Sequence, residues 1–292
     1  MLPQNNLIGL GIRSACYLLG LLWVCSAWLL SWEWSQWSFV TDPPKLEEGR
    51  GTFYFGLALG SGLSFGLTLF LSIWHPPWNL FRPYLLSKKP FCDNGIFLTF
   101  DDGPHPLHTS LVLDLLKEHG AKATFFVVGE RAREHPHLIR RILEEGHSLG
   151  NHTHRHKWWF PFALNHQIQK ELWDCQNALS LAGAGQCLWF RPPFGVAHPR
   201  MVGVAQRLGL NCVLWTFSFR DGVHRKNLHA QKELQKALPH LRPGGILVMH
   251  DVVTGPLRPQ CLDFLKELLG EIHSRDLRAL PLPHHSPVDT PT

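Results

Sequence analysis

Two regimes of hydrophobic patterning divide this sequence. Residues 14–32 and 52–74 are apolar runs without a single charged side chain. Each approaches or exceeds the ~20 residues a helix needs to cross a bilayer. The second run carries Gly56 and Gly60, then Gly62 and Gly66, small residues at a spacing that lets membrane helices approach closely. Trp23, Trp28, Trp32, Trp34 and Trp37 crowd one end of the segment, and Trp74 and Trp78 the other, as interfacial anchors do. The pattern predicts a two-helix membrane hairpin within residues 1–90. A signal peptide fits less well, because charge ahead of the first run is sparse and no small-residue cleavage site follows it cleanly.

From residue 91 the pattern alternates between short apolar runs and amphipathic stretches. Strands are predicted at Ile96–Phe100, Ala123–Val128, Cys187–Arg191, Cys212–Phe217 and Gly245–His250, with a last short one near Leu280. Helices are predicted at Ser110–His119, Leu138–Glu145, His166–Leu181, Pro199–Leu208, Leu228–Leu241 and Cys261–Ser274. Regular strand–helix alternation implies a parallel sheet, open or closed into a barrel, with function at the C-terminal strand ends. The domain is expected to span residues 91–285, followed by an irregular tail at 286–292.

Composition narrows the class. The chain has 292 residues, 45% of them hydrophobic and only 17% charged, so part of it is expected to face something other than water. Net charge is +5 and no Lys/Arg run occurs, which argues against a nucleic-acid partner. Seven cysteines without a Cys-x-x-Cys pair argue against a thiolate zinc site and favour reduced thiols. Arg13, Arg82, Lys88 and Lys89 flank the hairpin against Lys45 and Arg50 in its loop, a distribution that favours placing both ends, and the domain that follows, on the cytoplasmic side; the external face is the alternative.

Five segments carry candidate chemistry. Asp101 and Asp102 close the first strand, and successive strand residues point apart, so one carboxylate can bind a metal while the other reaches a water. His152 and His156 are four apart, a spacing that lets two imidazoles share one face of a helical turn. Two imidazoles and a carboxylate leave open positions, the pattern of a catalytic divalent ion; zinc fits best, with cobalt, nickel, manganese or iron as alternatives. Arg191 precedes Pro192-Pro193, which would hold the Phe194 N–H rigidly as an oxyanion donor, and the arginine can pair with Asp101. His250 ends an apolar strand where a proton donor would sit, with Asp221 and Asp251 as candidate partners. Trp158 and Trp159 follow the histidines and offer a stacking surface, or core.

These residues resemble the NodB-homology polysaccharide deacetylases, carbohydrate esterase family 4. Thr-Phe-Asp-Asp-Gly-Pro at 99–104, His-Thr-His-Arg-His at 152–156 and Arg-Pro-Pro-Phe-Gly at 191–195 match its first three motifs in full. The resemblance covers about residues 91–285 and implies a distorted (β/α)7 barrel. It implies Asp101 as general base, Asp102, His152 and His156 as metal ligands, His250 as general acid and Arg191 orienting Asp101. It further implies removal of the acetyl group from an amino sugar in a glycan resembling peptidoglycan or a chitin oligomer. A lipid-linked amino sugar, an O-acetylated xylan and a non-catalytic sugar-binding role are the alternatives. The fourth motif departs from the family pattern: Ser218 and Gly222 stand where an Asp and a Trp are usual, while Asp221 is kept. In the fifth, Val248 replaces a leucine.

Overall fold

A strand buried along its whole length, β1 (Gly95–Asp101), organises the domain. Full burial of Gly-Ile-Phe-Leu-Thr-Phe-Asp follows from its place in a parallel sheet covered on both faces, where apolar side chains are needed on each side. The computed structural model describes residues 94–219, 230–252 and 259–283, together with Gly60 and Leu63. The chain falls into two units, Met1–Arg82 and Pro83–Thr292, and the second is described below. Apart from Gly60 and Leu63, the predicted hairpin lies outside the described residues, as does the tail 286–292. Among the described residues no helix is long and apolar enough to cross a membrane.

The other strands are β2 (Thr124–Val127), β3 (Ser148–Asn151), β4 (Trp189–Phe190), β5 (Asn211–Cys212), β6 (Phe217–Ser218), β7 (Ile246–His250) and β8 (Arg278–Leu280). They run in the order β5-β4-β3-β2-β1-β7-β6, every pair parallel, with β8 against the first half of β1. Between them lie α1 (His108–Glu118), α2 (Gly129–Glu134), α3 (Pro136–Glu144), α4 (Asn165–Leu181), α5 (Pro199–Arg207), α6 (Ala230–Ala237) and α7 (Pro259–Ser274).

Alternation along β1 separates two cores. Ile96, Leu98 and Phe100 join Leu113, Phe125, Leu172 and Phe264 in the layer between strands and helices. Phe97 points the other way, into a smaller cluster with Phe126, Trp189, Val213 and Ile246 inside the curl of the sheet. On that inner side Thr99 and Asp101 continue the sequence i, i+2, i+4 from Phe97, so the inside turns from apolar to polar toward the C-terminal strand ends.

The predicted strand Cys212–Phe217 divides into two short pieces for a physical reason. The Val213 N–H donates to Phe190 on one edge of the sheet, while the Thr216 N–H donates to Ile246 on the other. The carbonyls between them, at Val213 and Leu214, turn inward to the Arg191 guanidinium. One segment thus crosses from edge to edge and curls the parallel sheet, without a regular ladder between β5 and β6.

Candidate metal centre and active site

The end of β1 is shaped by a turn that only glycine fits. Asp102 has φ +76° and Gly103 follows it. A Cβ on Gly103 would strike the Asp251 carboxylate. Asp251 is buried, and its Oδ2 accepts from the Thr109 hydroxyl at 2.5 Å. That hydroxyl in turn accepts from the His105 N–H at 2.8 Å. Burial pushes the Asp251 carboxyl up to about 7, against the Thr109 hydrogen bond, and the negative Asp102 adds to the rise. The Asp102 carbonyl takes a hydrogen bond from Arg131, and the Gly103 carbonyl accepts from Val128 N–H at 2.8 Å. The turn is thus fixed from three sides, and it presents Asp101 and Asp102 in different directions.

The two histidines reach the same place from a loop, not from the helical turn expected. After β3 the backbone enters left-handed conformations at Thr153 (φ +67°) and His156 (φ +48°). Asn151 and Glu171 hold this strained path. Asn151 donates to Leu172 of α4 at 2.8 Å and accepts from Thr153 N–H at 2.9 Å. Buried Glu171, also on α4, accepts from the N–H groups of His154 and Arg155 and from the Arg155 side chain, the last at 2.6 Å. His154 turns away from the centre toward Gly129, as its odd place between the two ligand candidates predicts.

Asp102, His152 and His156 each direct one ligand atom into a common space, all within 4.8 Å of one another. His152 Nε2 lies 3.4 Å and His156 Nε2 3.2 Å from Asp102 Oδ1. Donors bound to one zinc-like ion at ~2.0–2.2 Å in a tetrahedral arrangement stand ~3.3–3.6 Å apart, so the set fits a divalent cation. The Arg191 carbonyl, 2.7 Å from His152 Nδ1, fixes the tautomer and leaves the Nε2 lone pair for the centre. Ionisation states agree. Burial and the neighbouring His152 push His156 down to about 4, so it is neutral near pH 7. For Asp102, burial opposes the charge, but the surrounding His152, His156 and His250 outweigh it and hold the carboxyl well below its usual range.

Arg191 is fully buried and spends its donors inside the curl. Nη1 donates at 2.7 Å to both Asp101 Oδ1 and Thr99 Oγ1, while Nε and Nη2 reach the Val213 and Leu214 carbonyls. Its guanidinium lies 4.1 Å from the Phe126 ring centroid and 5.7 Å from that of Trp215. Removing one partner of a buried ion pair leaves an uncompensated charge, typically worth about 3–5 kcal/mol. Arg191→Met is therefore expected to lower unfolding stability by roughly that much, measured by urea denaturation; a loss under ~1 kcal/mol, the range of surface pairs, would show that water reaches the pair.

The remaining candidates divide. His250 is in register with Asp101 across the β1–β7 ladder, so the two side chains leave neighbouring strands on the same side. Phe194 sits at φ +61°, half exposed, with its ring 4.9 Å from that of His156. Gly195 (φ +68°) must be glycine, since a Cβ would enter the Trp215 ring. Trp158 projects into solvent, whereas Trp159 is half-buried and packs on the main core. Asp221 lies outside the described residues. Glu171 and Trp215 carry no mark in the sequence; a buried acid on an amphipathic helix, hydrogen-bonded to the backbone of the histidine loop, has no local signature.

Comparison with known proteins places this geometry. A polysaccharide deacetylase family model matches residues 88–213. A chitooligosaccharide deacetylase of Azorhizobium caulinodans is 32% identical, over 65% of this chain and 93% of its own length. A peptidoglycan-N-acetylglucosamine deacetylase of Bacillus cereus is 30% identical, over 67% of this chain and 89% of its own. Among solved structures, a family 4 carbohydrate esterase from Streptomyces lividans in complex with acetate superposes with a TM-score of 0.58 at 27% identity, covering 68% of this chain and 96% of that one. The fold is shared with this esterase, and the chain belongs to the polysaccharide deacetylase family. It is a hydrolase of carbon–nitrogen bonds other than peptide bonds.

Proposed function

We propose that the protein is a membrane-anchored, metal-dependent N-deacetylase that removes the acetyl group from an amino sugar in a glycan. The observation that carries this reading is the juxtaposition of the Asp102–His152–His156 set with an Arg191-paired Asp101 and a His250 in register with it. The relatives named for chitooligosaccharides and peptidoglycan support an N-acetylglucosamine-containing substrate. Asp102, His152 and His156 would hold the ion, zinc by the match of two imidazoles and one carboxylate, and it supplies Lewis-acid polarisation of the acyl carbonyl.

The chain's own residues account for the proton transfers. The salt bridge engages Asp101 Oδ1, so Oδ2 is the oxygen that takes a proton as water attacks the acyl carbon. The Phe194 N–H, held by the Pro192-Pro193 turn, donates to the oxyanion. His250 protonates the amine as the carbon–nitrogen bond breaks, giving acetate and a free amino sugar. Asp251, one candidate partner of His250, accepts from Thr109 through Oδ2, and Asp221 is the other candidate. Half-exposed Phe194, its ring 4.9 Å from that of His156, is proposed to contact the sugar.

The apolar runs at 14–32 and 52–74 are proposed to anchor the chain, with the catalytic domain on the cytoplasmic face by the balance of flanking basic residues. The test is acetate release by the purified chain from N-acetylglucosamine oligomers. A chelator is expected to abolish it and added zinc to restore it; release indifferent to chelation, or none at all, would overturn the reading. All described members of the site lie beyond residue 90, so deleting residues 1–90 is expected to yield a soluble fragment with unchanged turnover on short oligomers. A folded but inert fragment would mean that the anchor contributes to the site.

A further inference from the structure

Large apolar side chains are exposed at eight described positions, and five of these sit on loops at the C-terminal ends of strands. Leu107 follows β1, Phe194 follows β4, and Trp158, Phe162 and Leu164 follow β3 directly after the ligand candidate His156. The last three are 73%, 57% and 55% exposed within seven residues of chain. This is an ordered ridge. Phe160 and Pro161 between them are buried, with the Phe160 ring edge-on to Phe190 at 6.4 Å. Phe162 N–H donates to the Trp159 carbonyl at 2.9 Å, and the buried Ala163 gives its carbonyl to Arg200 Nη2, also at 2.9 Å. A clustered apolar patch fixed by its own packing marks an interaction surface.

The chemistry of the ridge selects what covers it. Phe162 and Leu164 have no polar atom with which to match a sugar hydroxyl. Residues 152–170 contain no aspartate or glutamate. Arg155 and Lys170 are paired with Glu171 and Asp174, but Lys157 stands exposed immediately before the ridge and Arg200 reaches its floor. Aromatic and aliphatic side chains beside Lys157 and Arg200, in a segment without an acid, are the composition of one that sits in the headgroup layer of an anionic bilayer. We propose that the Trp158–Leu164 ridge seats on an anionic lipid surface and that the adjoining site takes a lipid-linked amino sugar from that surface. The second half rests on the deacetylase reading; the first does not.

Both halves are tested on the full chain in nanodiscs of phosphatidylglycerol mixed with phosphatidylcholine, or of phosphatidylcholine alone. Amide hydrogen exchange across 157–164 is expected to slow in the anionic discs and to recover as salt is raised, because surface charge attraction is screened within ~8–10 Å near physiological ionic strength. The double variant Phe162→Ser, Leu164→Ser removes apolar area at two exposed positions, so folding is retained. It is expected to lower kcat/KM on a lipid-linked N-acetylglucosamine in anionic discs by about tenfold, with kinetics on a water-soluble N-acetylglucosamine tetramer unchanged. Exchange that ignores lipid composition would overturn the proposal. So would an equal loss on both substrates, which would make the ridge a saccharide subsite. If the wild-type chain turns over neither substrate, the deacetylase reading fails, while exchange still decides the lipid contact.

Discussion

Asp101→Asn is expected to lower kcat by about 10²–10⁴, the range general acid–base catalysis supplies, while the bound metal stays in place. Asparagine keeps the shape and still offers an oxygen to Arg191 Nη1, which lies 2.7 Å from Oδ1 in the wild type. It cannot take up a proton at the second position. The proposed metal ligands are Asp102, His152 and His156, whose mutual distances do not involve Asp101. The experiment pairs steady-state acetate release with metal content of the same preparation. Activity within a few-fold of wild type would place the base elsewhere. Loss of metal together with activity would make Asp101 a ligand. Because the variant leaves the Arg191 guanidinium without a counter-charge in a fully buried position, some loss of stability is also expected. The assay therefore belongs well below the unfolding midpoint.

The legible parts of this fold were those where burial writes itself into a continuous apolar run. β1 and β7 are covered on both faces, and Ile-Phe-Leu-Thr-Phe and Ile-Leu-Val-Met stand out in the sequence for that reason. β3 reads Ser-Leu-Gly-Asn and gives no such signal. It is a strand because Gly150 leaves room for the Phe126 ring of β2 and because Asn151 ties its end to α4 through one bond to the Leu172 carbonyl. Both causes are tertiary. The short α2 begins on Gly129 at a close approach to His154 and likewise lacks periodicity.

The site shows the same division. Residue types and order exposed Asp102, His152 and His156, yet the spacing of four suggested a helical turn. The chain instead meets the geometry through a loop with two left-handed residues, tied down by Asn151 and Glu171. A spacing rule reports that two side chains can converge; it does not report which backbone brings them together. The Arg191–Asp101 pair was anticipated from charge alone, but its depth was not, because burial of an arginine depends on what three other segments place around it. Thr99, Phe126 and the Val213–Leu214 carbonyls surround that guanidinium, and apart from Thr99, which opens the first motif, none carries a mark of function in the sequence.

His152→Ala is expected to remove both metal and activity, and it tests the centre more directly than any kinetic measurement. The imidazole supplies Nε2 to the centre and is held through Nδ1 by the Arg191 carbonyl at 2.7 Å, so alanine deletes a ligand that the fold has already oriented. Losing an outer partner of a metal ligand typically costs 10–100-fold in affinity, and losing the ligand itself is expected to exceed that. A binding site present only in the folded state stabilises it by mass action, about 4 kcal/mol at a ligand concentration 1,000 times Kd. Zinc added to the metal-free wild type is therefore expected to raise the melting temperature, and added to His152→Ala to leave it unmoved. That contrast needs no substrate and no turnover. It also separates the two roles of the cluster: Asp101→Asn should keep the zinc-dependent shift and lose activity, whereas His152→Ala should lose both. A variant that still binds zinc as wild type does would detach the imidazole from the centre, and the proximity of the three side chains would then have to be explained by the Asp102–histidine contacts alone.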